Sequence, residues 1–222
     1  MPPHREDDRR LVASLLVLTF VTGLVDAASV LGLGHIFTAN MTGNVVFLGF
    51  ALGGAHEVSV SASLVAIAGF LLGATIGGRI ARRDPLAALP AALSGEIALL
   101  LAAVLVAALA EPGPLAHVPL LVLLSVPMGL QNAVVRRLAV PDMTTTVLTM
   151  TLTGIAADSS LAGGESPRLA RRWGAVVAML VGGLSGAVLL RLGVAWTVGA
   201  AAAADALALC GVLFARHPSP SS

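Results

Sequence analysis

The chain has 222 residues, of which 57% are hydrophobic and only 11% are charged, and its mean hydropathy is +0.93. Soluble domains carry about 25% charged residues, so this composition excludes a water-facing globular domain and indicates an integral membrane protein. The formal net charge of +1 excludes a nucleic-acid-binding surface, and the single cysteine, Cys210, excludes a disulfide framework or a cysteine-based metal site.

Six apolar runs are long enough to cross a bilayer core, which takes about 20 residues of helix. Their lack of period-2 alternation predicts α-helices rather than a β-barrel, so the predicted fold class is an all-α integral membrane protein. Two shorter apolar pieces are predicted to be re-entrant or broken helices. The long runs are residues 11–33, 58–80, 86–110, 118–135, 173–190 and 194–215, and the short pieces are residues 45–52 and 147–157.

The distribution of arginine discriminates between two topologies. Basic residues near span ends stay on the cytoplasmic side of a membrane. Eight complete spans would place Arg79, Arg82 and Arg83 outside, whereas six spans with two re-entrant pieces place every arginine except Arg191 inside. We therefore predict six spans with both termini in the cytoplasm.

The chain is predicted to form a single membrane domain with two similar halves, residues 11–110 and 118–215. A charged cytoplasmic head, residues 1–10, precedes them, and the tail, residues 216–222, is predicted to be disordered. Because each half has three spans, the second half would be inverted relative to the first, as in many secondary transporters. The matching motifs are Gly23-Leu24-Val25-Asp26-Ala27 with Gly129-Leu130-Gln131-Asn132-Ala133, Met41-Thr42 with Met143-Thr144, Gly73 and Gly77 with Gly182 and Gly186, and Glu96 with Asp205.

A polar segment precedes each short apolar piece: the first polar segment is residues 38–44, and the second is residues 141–146. The start of a half-helix offers free backbone N–H groups and a positive dipole end to an anion or a carbonyl oxygen. The segments therefore predict a solute site, and the structural alternative is capping of the helix, which is compulsory in a membrane. The candidate solute-binding residues are Asn40, Thr42, Gly43 and Asn44 in the first segment, and Asp142, Thr144, Thr145 and Thr146 in the second.

Further polar side chains lie within predicted spans. Asp26 is in the first span, with Gln131 and Asn132 at the matching place in the second half. Ionisable residues at this depth are rare and face the bundle interior, which indicates a solute or ion site supporting the polar segments. The structural alternative is a hydrogen-bonded clasp on the backbone of the first polar segment.

Glu96 and Asp205 also lie within spans, and the chain contains no lysine to pair with them. A carboxyl group without a cationic partner at this depth could take up and release a proton, so both residues are candidates for proton coupling. The alternative is a neutral acid that forms hydrogen bonds between helices.

Glycines spaced four residues apart form small-residue faces, which pack helices within a fold or across a dimer. They predict that the chain can form a homodimer through these faces, in addition to its contact with the lipid bilayer. The chain lacks a nucleophile elbow and a phosphate loop, so neither an enzyme nor a cofactor is expected. The glycines concerned are Gly69, Gly73 and Gly77 in one half and Gly182 and Gly186 in the other.

The chain resembles the YoaK-like family of bacterial multi-pass membrane proteins, whose function is uncharacterised. The resemblance covers nearly all of residues 11–214 and implies a bacterial plasma membrane location and a span pattern, but no substrate. It is carried by Phe20-Val21-Thr22-Gly23-Leu24-Val25-Asp26-Ala27, Ala39-Asn40-Met41-Thr42-Gly43-Asn44, Met128-Gly129-Leu130-Gln131-Asn132-Ala133, Thr144-Thr145-Thr146-Val147-Leu148-Thr149 and Thr151-Leu152-Thr153-Gly154.

The favoured function is a secondary transporter or permease for a small polar or anionic solute, with the two polar segments at its centre. A passive channel and a non-transporting membrane scaffold or sensor are the alternatives. A transporter predicts a polar cavity where Thr42 and Asn44 approach Thr144 and Thr146. A scaffold predicts that hydrogen bonds within the protein occupy the polar segments.

Overall fold

The computed structural model describes residues 5–55, 59–109, 114–141, 143, 148–166 and 168–216. Within these ranges the chain is helical and contains no strand, which confirms the predicted all-α class. The eight α-helices are α1 (Arg5–Gly32), α2 (Met41–Leu52), α3 (Val60–Ile80), α4 (Pro85–Leu109), α5 (Pro114–Leu138), α6 (Leu148–Ala157), α7 (Leu169–Leu189) and α8 (Val194–Arg216).

Six of these helices, α1, α3, α4, α5, α7 and α8, are long and apolar enough to cross a membrane. They match the six predicted spans, with differences of a few residues at their ends. The largest difference is at the start of α1, which begins at Arg5, so the second part of the predicted cytoplasmic head continues the helix. The predicted disordered tail lies outside the described residues except for Arg216, which is the last residue of α8.

The other two helices are short. α2 has 12 residues and α6 has 10, which at 1.5 Å per residue gives about 18 and 15 Å. A bilayer core is about 30 Å thick, so neither helix can cross it. Each packs on the long helix that follows it in the chain, α2 on α3 and α6 on α7.

Local sequence signals set the starts of several helices. Ser59 caps α3 by accepting a hydrogen bond from the Ala62 N–H at 3.2 Å, and Asp84 accepts from the Ala87 N–H at 2.9 Å at the start of α4. These side chains satisfy N–H groups that have no partner within the first turn of a helix. Proline at the first position of α4, Pro85, suits that place because it lacks an N–H group.

The centre of the fold consists of α1 and α5. α1 packs against α7 and α8, α5 packs against α3 and α4, and α4 packs against α8. A fully buried apolar cluster joins these helices, and it includes Val21 and Leu24 of α1, Leu124 and Met128 of α5, and Leu100 of α4. The more peripheral helices α3 and α7 expose large apolar side chains on their outer faces, as expected of surfaces in contact with lipid tails.

Glycines allow two of these helix pairs to approach at backbone distance. Gly73 of α3 lies against the Val126 carbonyl of α5, and Gly182 of α7 lies against the Phe20 carbonyl of α1. Small residues at such crossings let helix backbones pack closely in membranes. These contacts lie inside one chain.

The predicted homodimer surfaces must therefore be corrected. Gly69 faces the Ser125 side chain, Gly77 faces the Leu130 backbone, and Gly186 faces the Ala27 and Leu24 positions of α1. With Gly73 and Gly182 also occupied, both glycine faces are buried within the protomer. The sequence pattern marked close helix contacts correctly, but it could not distinguish a partner helix of the same chain from one of a second copy.

Candidate functional site

The first polar segment lies in the turn between α1 and α2 and in the first turn of α2. The chain reverses after α1 through Gly34 and His35, which have φ angles of 94° and 63°. Positive φ is readily adopted by glycine, whereas it is uncommon for other residues, so His35 marks a tightly constrained turn. This reversal returns residues 38–40 to the side of α1 that carries Asp26.

Asp26 binds the backbone of the first polar segment. Its Oδ1 atom accepts hydrogen bonds from the N–H groups of Thr38 at 3.0 Å and Ala39 at 2.9 Å, and its Oδ2 atom accepts from the Asn40 side-chain amide. Asp26 is only 6% exposed. The sequence predicts that an anion or a carbonyl oxygen binds at the start of α2. The group found just before α2 is the Asp26 carboxyl group of the protein itself.

Asn44 closes the segment from the other side. It is fully buried, and its Oδ1 atom accepts from the Phe37 N–H at 2.8 Å while its Nδ2 atom donates to the Phe37 carbonyl. Gly43 lies under the Phe37 ring, where a Cβ atom would be 2.5 Å from ring carbon Cδ2. Thr38 is also buried and donates to the Ser29 hydroxyl at 3.3 Å.

These contacts favour the structural interpretation of the first polar segment. Asn40 stands at the N-cap position of α2 but makes no side-chain capping bond there, because its amide is turned to Asp26. Asn44 is committed to Phe37, and Thr42 is exposed on the first turn of α2. Asp26, Asn40 and Asn44 form a hydrogen-bonded clasp, and this face of the predicted solute site is already occupied by the protein.

Replacing Asn44 by alanine is expected to lower the free energy of unfolding by about 2 kcal/mol, because it leaves the N–H and carbonyl of Phe37 without partners in an apolar environment. Thermal unfolding of the purified protein would measure the effect. Thr42→Ala, two residues away on an exposed position, is the matched control and is expected to change stability by less than about 0.5 kcal/mol. Equal effects of the two substitutions would contradict the clasp.

A second polar cluster lies where four long helices meet. Glu96 of α4 and Asp205 of α8 are both 0% exposed, and their carboxyl groups are close enough to interact. By distance and angle, neither Asp205 oxygen has a hydrogen-bond partner in the described part of the chain. The two acids that were predicted to correspond therefore lie near each other inside the bundle.

Gln131 of α5 belongs to this second cluster. It is 0% exposed and lies 3.4 Å from the Thr22 hydroxyl of α1. With its amide nitrogen facing Glu96, it donates to both Glu96 oxygens at 2.9 and 3.1 Å. Gln131 was predicted to support the polar segments. Among the described residues it contacts Glu96 of the acid pair, and it lies on a different face of α5 from its neighbour Asn132.

Asn132 is half-buried and donates to the Met128 carbonyl of its own helix at 2.8 Å. The four candidates of the second polar segment lie outside the described residues, so the predicted approach of Thr42 and Asn44 to Thr144 and Thr146 stays a prediction. The other two candidates there are Asp142 and Thr145.

Arg172 is not among the site residues that the sequence predicts, and in the sequence it indicates only the cytoplasmic side. Arg172 is 5% exposed, donates to the Gly154 carbonyl at 2.6 Å and forms an ion pair with Asp158 at 2.8 Å. It thereby holds the C-terminal part of α6 against α7. Its position within the first turn of an apolar helix was the available signal, since a charge there must find a buried partner.

The fold and these clusters define a multi-pass α-helical membrane protein with polar groups inside the bundle. A sequence profile described as "Protein of unknown function (DUF1275)" matches residues 14–212, and the chain belongs to this family. The chain is similar to the UPF0700 transmembrane protein YoaK of Bacillus subtilis (strain 168), with 38% identity over 154 residues that cover 68% of each chain. No solved structure matches. The predicted family resemblance is confirmed.

Proposed function

We propose that this protein is a secondary transporter or permease for a small polar or anionic solute and has no enzymatic activity. In this proposal it lies in a bacterial plasma membrane with both termini in the cytoplasm, and its second half is inverted relative to the first. The observation that carries the proposal is the recurrence of the helix contacts of one half in the other half.

The recurrence holds at the level of single residues. Gly73 contacts the Val126 carbonyl, and Gly182 contacts the Phe20 carbonyl. Gly182 follows Gly73 by 109 residues, and Val126 follows Phe20 by 106 residues. If each residue is replaced by its counterpart in the other half, the contact of Gly73 with Val126 becomes the contact of Gly182 with Phe20.

A second pair of contacts obeys the same exchange. Gly129 lies against the Phe70 carbonyl, and Gly23 lies against the Met179 carbonyl. Gly129 follows Gly23 by 106 residues and Met179 follows Phe70 by 109 residues. The packing of whole helices follows the same correspondence, in which α3, α4 and α5 of one set match α7, α8 and α1 of the other. The packing of α3 on α5 thus matches that of α7 on α1, and the packing of α4 on α5 matches that of α8 on α1.

This arrangement supports transport because two repeats packed about a pseudo-twofold axis can rock between states that open to opposite sides. Interrupted helices and polar groups near the repeat interface accompany this mechanism in known transporters. Here α2 and α6 are the short helices, and Glu96 and Asp205 lie near each other on α4 and α8. A solute site on the side of the second polar segment would leave the Asp26 clasp intact.

One observation favours the second candidate, a non-transporting scaffold or sensor. The hydrogen-bonding groups of Asn40 and Asn44 are used inside the protein, which is what that function requires of the first polar segment. A passive channel is the third candidate and would conduct without dependence on Glu96 and Asp205.

The proposed topology can be tested with single cysteines in a Cys210→Ala background. His35→Cys and Ala55→Cys flank α2 and are expected to react with a membrane-impermeant thiol reagent only from outside. Arg83→Cys and Leu161→Cys are expected to react only from inside. All four positions are exposed. Reaction of the two residues flanking α2 from opposite sides would contradict the re-entrant, inverted plan.

Transport itself can be tested in proteoliposomes with radiolabelled amino acids, organic acids and inorganic anions under an imposed pH gradient. The expected result is gradient-driven accumulation of one solute class, together with solute exchange in the absence of a gradient. Conduction that equilibrates a solute but never accumulates it would favour the channel. The absence of any flux across all three solute classes would favour the scaffold.

A further inference from the structure

The acid pair at the meeting point of α4 and α8 has the properties of a binding site for a small cation. Glu96, Asp205 and Gln131 come from three different helices, and all are 0% exposed. Gln131 supplies two donor contacts to Glu96, at 2.9 and 3.1 Å. Both Asp205 oxygens, in contrast, are buried without a hydrogen-bond partner among the described residues.

Two ionised carboxylates cannot remain side by side in this environment. Burial of a charge in an apolar medium is costly unless a partner compensates it, and two neighbouring negative charges repel each other strongly at low dielectric. No basic side chain of the described residues forms an ion pair with either group. A bound cation must therefore supply the missing positive charge.

The charged groups on the surrounding helices either are bound elsewhere or are exposed at the helix ends, as Arg136 and Arg137 are at the end of α5. Asp26 of α1 is bound by the backbone of residues 38 and 39, and Arg10 donates to the Phe214 carbonyl. Arg172 of α7 is bound to Gly154 and Asp158. Arg191, which follows α7, is exposed. Thr22 of α1, which donates to the Leu18 carbonyl, and Gln131 of α5 are uncharged.

The donor set indicates which cation binds. Metal cations need a shell of several oxygen ligands, whereas the Gln131 N–H group points at both oxygens of Glu96 and would repel a metal ion placed there. A proton needs only one oxygen, and the unpartnered Asp205 carboxyl provides it. Glu96, stabilised by the Gln131 amide, can then remain the charged member of the pair.

We propose that Glu96 and Asp205 form an exchangeable proton-binding site, with Asp205 carrying the proton and Gln131 positioning Glu96. One proton from water adds to a carboxylate oxygen of the pair on binding and returns to water on release. Because α4 and α8 belong to different halves, release of the proton places repulsion across the interface between the halves. The coupling of this step to solute movement depends on the proposed transport function, but proton binding itself does not.

The site can be tested by infrared difference spectroscopy of the full-length protein in lipid nanodiscs between neutral and alkaline buffer, a pH range in which exposed carboxyl groups stay ionised. We expect the C=O stretching band of a protonated carboxyl group, with a shift in D2O. Asp205→Asn is expected to abolish the band, because it removes the carboxyl group that carries the proton. Glu96→Gln is expected to shift the pH at which the band disappears, because it removes the neighbouring negative charge. Asp84→Asn, which replaces an exposed carboxyl at the start of α4, is the control and is expected to retain it.

A band that persists unchanged in both acid variants would overturn the proposal. So would a spectral change that follows replacement of choline by sodium at constant pH, since this would assign the site to sodium. If the acid variants do not fold, the Gln131→Met variant tests the proposal, because it removes the hydrogen-bond donor to Glu96 and keeps both carboxyl groups. We expect Gln131→Met to shift the pH at which the band disappears. A band that disappears at the same pH as in the unsubstituted protein would overturn the proposal.

The outcome is separable from that of the transport experiments. A normal proton band in a protein that moves no solute would leave the proton site standing and contradict the transporter. Solute accumulation that persists in Glu96→Gln and Asp205→Asn would retain the transporter and remove this pair from its coupling.

Discussion

Replacing Gly73 by alanine is expected to lower the free energy of unfolding by about 3 kcal/mol, the upper end of the range for overpacked cores. A Cβ atom at this position would overlap the Val126 carbonyl and approach the Leu130 N–H at 3.0 Å. Because these neighbours are backbone atoms in the middle of α5, they cannot rotate away, and the two helices must separate. Reversible unfolding in bicelles would measure the loss.

Gly182→Ala is expected to have the same effect at the interface of α7 with α1, because its Cβ would overlap the Phe20 carbonyl. Gly78→Ala and Gly183→Ala are the matched controls, since nothing lies within 4 Å of a Cβ at either position. Alanine is the better helix former, so these controls are expected to be neutral or slightly stabilising. Equal losses in all four variants would show that the glycines matter for helix flexibility rather than for close packing.

The second large effect is expected for Asp26→Ala, with a loss of about 3 kcal/mol in the free energy of unfolding. The substitution leaves the Thr38 and Ala39 N–H groups and the Asn40 amide without an acceptor. Each unsatisfied donor in an apolar environment costs about 1–3 kcal/mol, and local rearrangement offsets part of the total. Amide hydrogen exchange should rise first at residues 37–44.

Asp84→Ala is the control for Asp26→Ala, because it removes a carboxylate that also accepts a backbone hydrogen bond, from Ala87, but in an exposed turn. Loss of such a cap costs about 1 kcal/mol. An Asp26→Ala protein with unchanged stability and unchanged exchange at residues 37–44, but with altered solute flux, would assign Asp26 to the solute site rather than to the clasp.

Much of the fold could be predicted because helix formation in a bilayer is decided locally. A span must satisfy its backbone hydrogen bonds within itself, so the lengths of the apolar runs located α1, α3, α4, α5, α7 and α8 directly. The short runs after the two polar segments likewise predicted α2 and α6. Helix ends were less accurate, since the start of α1 at Arg5 lies within charged residues that no hydropathy pattern marks.

The candidate site was predicted less completely. Glu96 and Asp205 were matched as equivalents from their spacing alone, but their physical proximity depends on α4 packing against α8. The sequence predicts Asp26 as a buried candidate residue, but it does not predict the groups that Asp26 binds. These groups reach Asp26 because the chain reverses at His35, and the composition does not reveal this reversal. Gln131 and Asn132 are adjacent in sequence and face different surroundings, which a motif match cannot separate.

Composition and run length determine the membrane class and the long apolar helices, because the cost of placing polar groups in lipid acts on each segment separately. Arginine position predicts the orientation of these helices. The partners of polar and small residues are a property of the packed bundle. Only the tertiary structure determines that Asn40 donates a hydrogen bond to Asp26, that Gln131 donates to Glu96, and that the glycine faces pack against helices of the same chain. A hydrogen-bonding side chain inside a membrane must find a partner, but which partner it finds depends on the helices beside it.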